Sequence, residues 1–584
     1  MALKLPPLPP EINVRRSADP TYMAHGYLTK VPVRAIIPFL DAFTKPGDLV
    51  VDPFAGSGMT GVAAFMIGRR AVLSDISRLG QHIGLNYVNI VDPKALRNTG
   101  LRVLQEAQSR VPRLYIVPCA HCRKPSRLVK AIWSYEYTCG KCATTFAYYE
   151  ALEAGDWAQS RCPKCKSNFE RRGLVRAGET MVRESVDCET SPTQREQPSS
   201  GVEPPCFPEL NHWPDVPIDS DREMYRRSAL GKHKLQTTAS FFSVRNLTAL
   251  VSLRDSILAV DDESLRNKLL FVFTAILPRA SKRYQWSRHR PLNAQNQTYY
   301  IAPIFYEWNV FDLFERKLRA VLASDQMIRE DRPLFSSTGT VAYHLASADR
   351  LAHLAANSVD YVFTDPPFGS NIFYSDMNLF QEAWLGELTD RSNEAVISTM
   401  GDNGVASERY EKILTEALQE CRRILKPGAW LSMVFSNSRG AVWGMAQRAL
   451  KHSGLELVPE RLSSLDKGQR SVKGLASGWE GVITTDLVFT ARKPEERHRP
   501  RRVKAAEESV DESVASVLGS KNGLKVDTPS RVYIGVVRRY IERHWDLEPL
   551  HFEDVLAVLE NRGFEVDAAS GGLRRKRGWR KPQT

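Results

Sequence analysis

Leu49-Val50-Val51-Asp52-Pro53-Phe54-Ala55-Gly56-Ser57-Gly58 is the stretch on which the fold turns. Three apolar residues running to a carboxylate read as a short buried strand. A helical pattern over 59–67, ended by Gly68, follows the glycines. Ala71-Val72-Leu73 then runs to Ser74-Asp75 as a second strand. Strand, glycine turn, helix, strand is one βαβ unit, so a parallel sheet is expected. Gly56-Ser57-Gly58-Met59-Thr60-Gly61 fits G-x-G-x-x-G, in which glycines let a nucleotide-type ligand approach the backbone at a helix N-terminus. Asp75, 19 residues beyond Gly56, places a carboxylate where ribose hydroxyls can donate. A nicotinamide dinucleotide fits the same spacing. Asp52 beside the turn argues against it, because a carboxylate repels a pyrophosphate and suits a cationic group such as an α-amino group.

The α/β pattern returns near 340. Strands are expected over 341–345 and 359–364, the second running directly into Asp365-Pro366-Pro367-Phe368. Open α/β sheets bind ligands at the carboxyl ends of their strands. Two prolines there are rigid and donate no N–H. The Asp365 carboxylate and the Pro366 carbonyl are then neighbouring acceptors, suited to an exocyclic amino group with two hydrogens to give. Phe368 supplies a face for stacking a planar base. A helix over 410–425, Lys426-Pro427-Gly428 and strands over 430–435, 455–458 and 486–490 complete the pattern. The whole reads as one α/β domain split by a long insertion.

The insertion carries most of the nine cysteines. Cys119-x2-Cys122-x16-Cys139-x2-Cys142 has zinc-ribbon spacing, so these four thiols are expected to close one structural Zn2+ site, with a hairpin over 128–137 between them. The ribbon serves either DNA contact or the folding of an insertion with little core of its own. Cys162/Cys165 forms a further pair that either packs without metal or recruits Cys188. Cys206 and Cys421 read as ordinary small apolar positions. Residues 186–207 read as a loop, and helical periods follow over 241–258 and 265–277. Next come Arg279, Lys282, Arg283, Arg288 and Arg290 with Tyr284 and Trp286 among them, either a nucleic-acid contact or a solvated charged face.

The composition bounds the rest. At about 150 residues per domain, 584 residues imply three or four domains. Apolar residues at 42% and charged residues at 25% exclude a disordered or collagen-like chain. The longest apolar run, 269–277, is far short of the roughly 20 residues that span a bilayer, so no membrane partner is expected. No basic-then-apolar leader opens the sequence, which points to a cytoplasmic protein with reduced thiols. Eighty Lys plus Arg against 67 Asp plus Glu, a net charge of +13, favours a polyanionic partner. A basic tail runs from Arg574 through Arg580 and Lys581.

Asp52-Pro53-Phe54-Ala55-Gly56-Ser57-Gly58 resembles motif I of the amino-methyltransferases, and Asp365-Pro366-Pro367-Phe368 resembles their catalytic motif IV. Tyr27-Leu28-Thr29-Lys30-Val31-Pro32 is similar to the motif around the methionine end of their cofactor, and Ser347-Ala348-Asp349 to the one that contacts its adenine. The cysteine pairs, with Ser240-Phe241-Phe242-Ser243-Val244-Arg245-Asn246-Leu247, resemble adenine-specific DNA methylases that carry a zinc ribbon. The likeness covers roughly residues 20–492; Phe368 stands where Tyr or Trp is common.

The resemblance implies a Rossmann-like methyltransferase sheet, S-adenosylmethionine as cofactor and double-stranded DNA as partner. It implies cofactor contacts from Tyr27, Lys30, Asp52, Pro53, Phe54, Gly56, Ser57, Gly58, Asp75 and Asp349, and catalysis at Asp365, Pro366, Pro367 and Phe368 on the N6 amino group of a flipped adenine. N4-cytosine or RNA methylation, and an inactive zinc-ribbon DNA-binding protein, are the competing readings. Restriction or defence-system partners are a further expectation from the family. The expected division is 12–95 and 336–492 for the two halves of the methyltransferase domain, 110–185 for the zinc ribbon, 208–335 for a helical target-recognition insertion, 493–525 for a linker and 526–584 for a small helical module.

Overall fold

The computed structural model describes residues 8–14, 19–28, 30–170, 176–191, 193–228, 230–233, 235–288, 292–293, 299–331, 339–369, 372–399, 403–466, 483–495, 502–520, 525–567 and 571–576. Thr29, Arg290 and the tail beyond Lys576 lie outside them. The chain forms two compact units. The first holds Met1–Ile90, Ser324–Ser375 and Thr389–Thr584; the second holds Val91–Ala323 and Asp376–Leu388.

The first unit is built on a mostly parallel sheet. Its strands run, in spatial order, Glu11–Asn13, Ser463–Asp466, Thr485–Arg492, Leu425–Phe435, Val359–Thr364, Leu49–Asp52, Arg70–Asp75 and Val341–Leu345. The five from Leu425–Phe435 to Val341–Leu345 are parallel, and Thr485–Arg492 is antiparallel to its neighbours. Starting at Leu49–Asp52, the chain steps outward to Arg70–Asp75 and Val341–Leu345. It then returns to Val359–Thr364 on the other side and steps outward again to Leu425–Phe435. The order therefore reverses between Leu49–Asp52 and Val359–Thr364, and such a reversal opens a crevice outside the carboxyl ends of those two strands. Both strands are almost wholly buried, the usual state of parallel strands covered on both faces.

One expected boundary moves. The described residues of 526–584 do not form a module with a core apart from the sheet, and those of 493–525 include the helix Val510–Gly519. Helices Val510–Gly519, Pro529–Glu542 and Phe552–Asn561 share one hydrophobic cluster with the sheet, in which Val514, Val532, Tyr533, Val536, Val537, Leu547 and Phe552 are buried together with Leu487, Phe489 and Trp443. An amphipathic stripe looks the same in sequence whether a sister helix or a sheet covers it.

The second unit centres on the strand Pro125–Thr138, flanked antiparallel by Arg176–Asp187 and Ile304–Trp308. This single 14-residue strand replaces the hairpin expected over 128–137, and a hairpin of Arg176–Asp187 with Arg195–Pro198 occupies part of the expected loop over 186–207. Helices Pro93–Arg110, Val244–Leu258 and Glu263–Ala280 belong to the same unit. Ser243 caps Val244–Leu258 by accepting from Asn246 N and donates to the Glu307 carboxylate. Arg245 forms a fully buried ion pair with Glu307 at 2.6 Å, and Asn246 donates to the Ala280 and Trp308 carbonyls. The Ser243-Val244-Arg245-Asn246 segment thus ties the unit together. Among the described residues no helix is long and apolar enough to cross a membrane.

Candidate active site

Leu49–Asp52 delivers Asp52 to the sheet edge at the crevice. Asp52 is buried and accepts from Phe54 N at 3.1 Å and from Thr60 Oγ1 at 2.6 Å, which pins the turn to the first turn of helix Met59–Met66. Burial pushes its carboxyl up to about 7. It is therefore an inward-facing brace for the turn rather than an open charge beside it. Pro53 and Ser57 are buried and Phe54 is half-buried.

Gly58 caps the helix at φ 76°, and a Cβ there would stand 2.7 Å from the Gly84 Cα. Asp75, at the end of the next strand, accepts from Gly56 N at 2.8 Å and from Ser77 N at 2.9 Å, and burial raises its pKa. A carboxylate has about four acceptor sites, so two backbone bonds leave room for ribose hydroxyls. On the other side of the turn, Tyr343 donates to the Gly56 carbonyl at 2.7 Å.

Tyr27 lies over the glycine turn. A Cβ on Gly56 would come 3.1 Å from its ring, and that ring stacks on Tyr374 with centroids 6.0 Å apart. Lys30 is placed differently from its neighbour: its buried ammonium donates to the His25 carbonyl at 2.6 Å, to Tyr87 Oη at 3.1 Å and to the Thr21 carbonyl at 3.3 Å. It holds the Pro20–Ala24 helix to Tyr87, and its three protons are all directed into the protein. Asp349 follows the last strand of the parallel run, and its Oδ1 is buried with no hydrogen-bond partner among the described residues.

The tetrapeptide sits on the strand beside the glycine turn. Tyr361 lies opposite Val50 and Val362 opposite Val51, so Asp365 leaves the sheet next to Asp52-Pro53-Phe54. The Pro367 carbonyl accepts from Tyr410 Oη at 2.6 Å and the Phe368 carbonyl from Asn437 Nδ2 at 3.0 Å. The Pro366 carbonyl has no such partner among the described residues. Phe368 is half-buried, its ring centroid 5.2 Å from that of Phe435. Tyr343, Tyr374, Tyr410 and Asn437 escaped sequence reasoning. Asn437 had a signal, because it follows the carboxyl end of Leu425–Phe435 on the edge that singled out Asp365. The tyrosines had none, since they reach the site from a strand middle and two helices.

Residues 11–83 match a DNA methylase family, N6_N4_Mtase. The matched stretch contains Tyr27, the glycine turn and Asp75. The chain is also similar to "Putative methylase YubD" of Escherichia coli (strain K12), 38% identical over 84 residues. That alignment covers 14% of this chain and 35% of the relative, so the chain spans about a third of the length of the curated relative it matches.

The cysteines group differently from the expected ribbon. Cys139 and Cys142 meet Cys162 and Cys165, while Cys119 and Cys122 meet Cys188. Cys122 and Cys139 lie just beyond opposite ends of Pro125–Thr138, which at about 3.3 Å per residue holds them roughly 45 Å apart along the strand. One ion cannot bridge that distance. In the four-cysteine group the Cys139–Cys165 and Cys142–Cys162 sulfurs are 3.8 and 3.7 Å apart. A zinc–sulfur bond of about 2.3 Å in a tetrahedron gives sulfur separations of about 3.8 Å, so the donor set fits Zn2+.

The basic segment is mixed: Arg283 is buried, Arg279 and Lys282 are half-buried, and Arg288 is exposed. Lys282 pairs with Glu179 at 2.5 Å. Arg283 is buried over Phe380, and burial lowers its pKa to about 10. Trp286 packs against Tyr149 and Trp157, so its ring is already occupied. Arg279 instead joins a different cluster: it lies over Trp308 with Arg316 and Lys130, and burial together with the Arg279 charge lowers the Lys317 pKa to about 8.

Proposed function

We propose that this protein transfers a methyl group from S-adenosylmethionine to the exocyclic N6 amino group of adenine in DNA. The observation that carries the reading is the pairing of Val359–Thr364 with Leu49–Asp52 at the sheet reversal, which puts Asp365 and the open Pro366 carbonyl beside the glycine turn. The DNA methylase match over 11–83 supports the cofactor side of the crevice. The residues there fit the cofactor: Asp75 keeps acceptor capacity beside the glycine turn, and Asp349 Oδ1 is a buried acceptor with no partner among the described residues.

When bound, S-adenosylmethionine supplies an electrophilic sulfonium methyl. Asp75 would accept from its ribose hydroxyls, Asp349 would supply an acceptor for its adenine, and Tyr27 covers the turn. Asp52, buried and bonded to Phe54 N and Thr60 Oγ1, would serve the cofactor by holding the turn in shape. Asp365 and the Pro366 carbonyl accept the two hydrogens of the target amino group, favour a tetrahedral nitrogen and so localise a lone pair otherwise spread into the ring. Phe368, held against Phe435, stacks the extruded base, since an amino group inside a duplex cannot reach the crevice. Tyr410 and Asn437 hold the tetrapeptide by its next two carbonyls. The second unit contacts DNA through the Arg279 cluster, and the four-cysteine Zn2+ is structural.

The test is nucleoside analysis of DNA incubated with the purified protein and isotopically labelled cofactor. N6-methyladenine is expected, and Asp365→Ala should lose at least about 10³-fold in rate, at the upper end for one preorganised group, while cofactor affinity stays unchanged. Near-normal methylation by Asp365→Ala refutes the catalytic assignment, and N4-methylcytosine as the product refutes the choice of base.

A further inference from the structure

Three C-x-x-C turns in the second unit share one backbone geometry. In each, the first cysteine donates its N–H to the carbonyl five residues on: Cys119 to Lys124, Cys139 to Thr144 and Cys162 to Ser167, all at 2.9 Å. In each, its carbonyl accepts from the residue four positions on, which is left-handed: Arg123 at φ 60°, Ala143 at φ 56° and Lys166 at φ 59°. None of the three is a glycine, so each turn carries strain of order 1 kcal/mol or more that a metal-binding knuckle can offset. The Cys139 and Cys162 turns face each other and complete a four-thiol group. The Cys119 turn faces Cys188 alone.

The pairing of Arg127 with Asp187 delivers Cys188 to this end of the long strand. Cys188-Glu189-Thr190-Ser191 then turns, with Ser191 N donating to the Cys188 carbonyl at 3.0 Å. Ser191 holds, in sequence, the place of the second thiol of a C-x-x-C pair, although this turn closes at the third residue and the other three close at the fourth. Its hydroxyl donates instead to the Thr193 carbonyl at 3.0 Å. Glu189, the nearest acid in sequence, pairs with Lys124 at 3.2 Å. Gln197 braces the opposite turn, accepting from Ala120 N at 2.8 Å and donating to the Pro118 carbonyl at 2.9 Å. Among the described residues no further His, Cys, Asp or Glu joins the three sulfurs, which lie within 4.8 Å of one another.

We infer that the chain holds a second zinc ion at Cys119, Cys122 and Cys188, with its fourth coordination position left to an exchangeable ligand, water or a small thiol. Closed structural zinc sites use four protein ligands, whereas sites with three keep an open position. The two centres therefore differ in kind. The four-cysteine centre is closed and inert, and the three-cysteine centre exchanges ligands and releases metal first.

The experiment uses the full chain. Metal analysis should give two zinc ions per chain, falling to one in Cys188→Ser. A chelator should remove one ion at least about tenfold faster than the other, since losing even an outer-shell partner of a ligand lowers metal affinity about tenfold or more. In cobalt-substituted protein, added 2-mercaptoethanol should change the absorption of one centre only. Ser191→Cys should abolish that response and equalise the two release rates. A single zinc per chain, two ions released at equal rates, or a cobalt spectrum indifferent to thiol would each overturn the inference. Loss of one zinc in His121→Ala would do the same, by showing that the exposed imidazole inside the Cys119 turn closes the site.

Discussion

Asp52→Asn probes how the glycine turn is held. Asp52 is 3% exposed, and its folded pKa rises from 3.8 to about 7, chiefly because burial disfavours the charged form. A rise of about three pH units at about 1.4 kcal/mol each amounts to about 4 kcal/mol. The sign follows from which form the fold prefers. The protonated carboxyl is favoured in the native state, so its contribution is complete below about 3.8, declines as pH climbs and is lost above about 7. Asparagine does not titrate; its amide oxygen can still accept from Phe54 N, while its NH2 can donate to Thr60 Oγ1 in place of the bond it received. Urea unfolding of the cofactor-free protein should be followed by circular dichroism from pH 5 to 8.5. The stability of the wild type relative to Asp52→Asn should fall by about 1.4 kcal/mol per pH unit up to about pH 7 and then level off. Asp75 titrates upward for the same reason but is common to both proteins. A difference that stays constant across the range would refute the buried-carboxyl argument.

Tyr410→Phe removes the donor to the Pro367 carbonyl, an interaction worth about 1–3 kcal/mol when the acceptor is left buried. Turnover should drop roughly tenfold or more with cofactor affinity unchanged, as equilibrium dialysis alongside steady-state rates will register. Gly58→Ala drives a Cβ to 2.7 Å from backbone, so it should cost about 3 kcal/mol or more and lower the melting temperature. Gly56→Ala meets only the Tyr27 ring at 3.1 Å, and should leave a folded protein that binds cofactor more weakly by calorimetry. Replacing Arg279 and Lys317 by Ser should weaken DNA binding for every sequence and flatten the logarithmic salt dependence by up to about two, measured by fluorescence anisotropy.

Much of the crevice was legible because it is written in local patterns. The βαβ unit, the strand before Asp365 and the position of Asp75 all appear where periodicity and glycine placement put them. The roles assigned by contact were less legible. Tyr27 covers the turn while Lys30, three residues on, points inward to Tyr87, 57 positions away. Trp286, in a segment that read as either a nucleic-acid contact or a solvated charged face, packs against Tyr149 and Trp157. The C-x-x-C pairs were visible one by one, but their partnerships were not, because the segment between Cys122 and Cys139 is one continuous strand rather than a hairpin.

Sequence alone determined which short segments form the elements and which carry acceptors, glycines and thiols, since backbone periodicity, proline rigidity and knuckle spacing act within a few residues. Only the tertiary structure decided that Asp52 and Asp365 share one sheet edge, that the C-terminal helices complete the first unit's core, and that Cys119 closes with Cys188. Those outcomes depend on strand order and register, which arise from burying apolar faces against one another across hundreds of residues, and no local pattern encodes which face meets which.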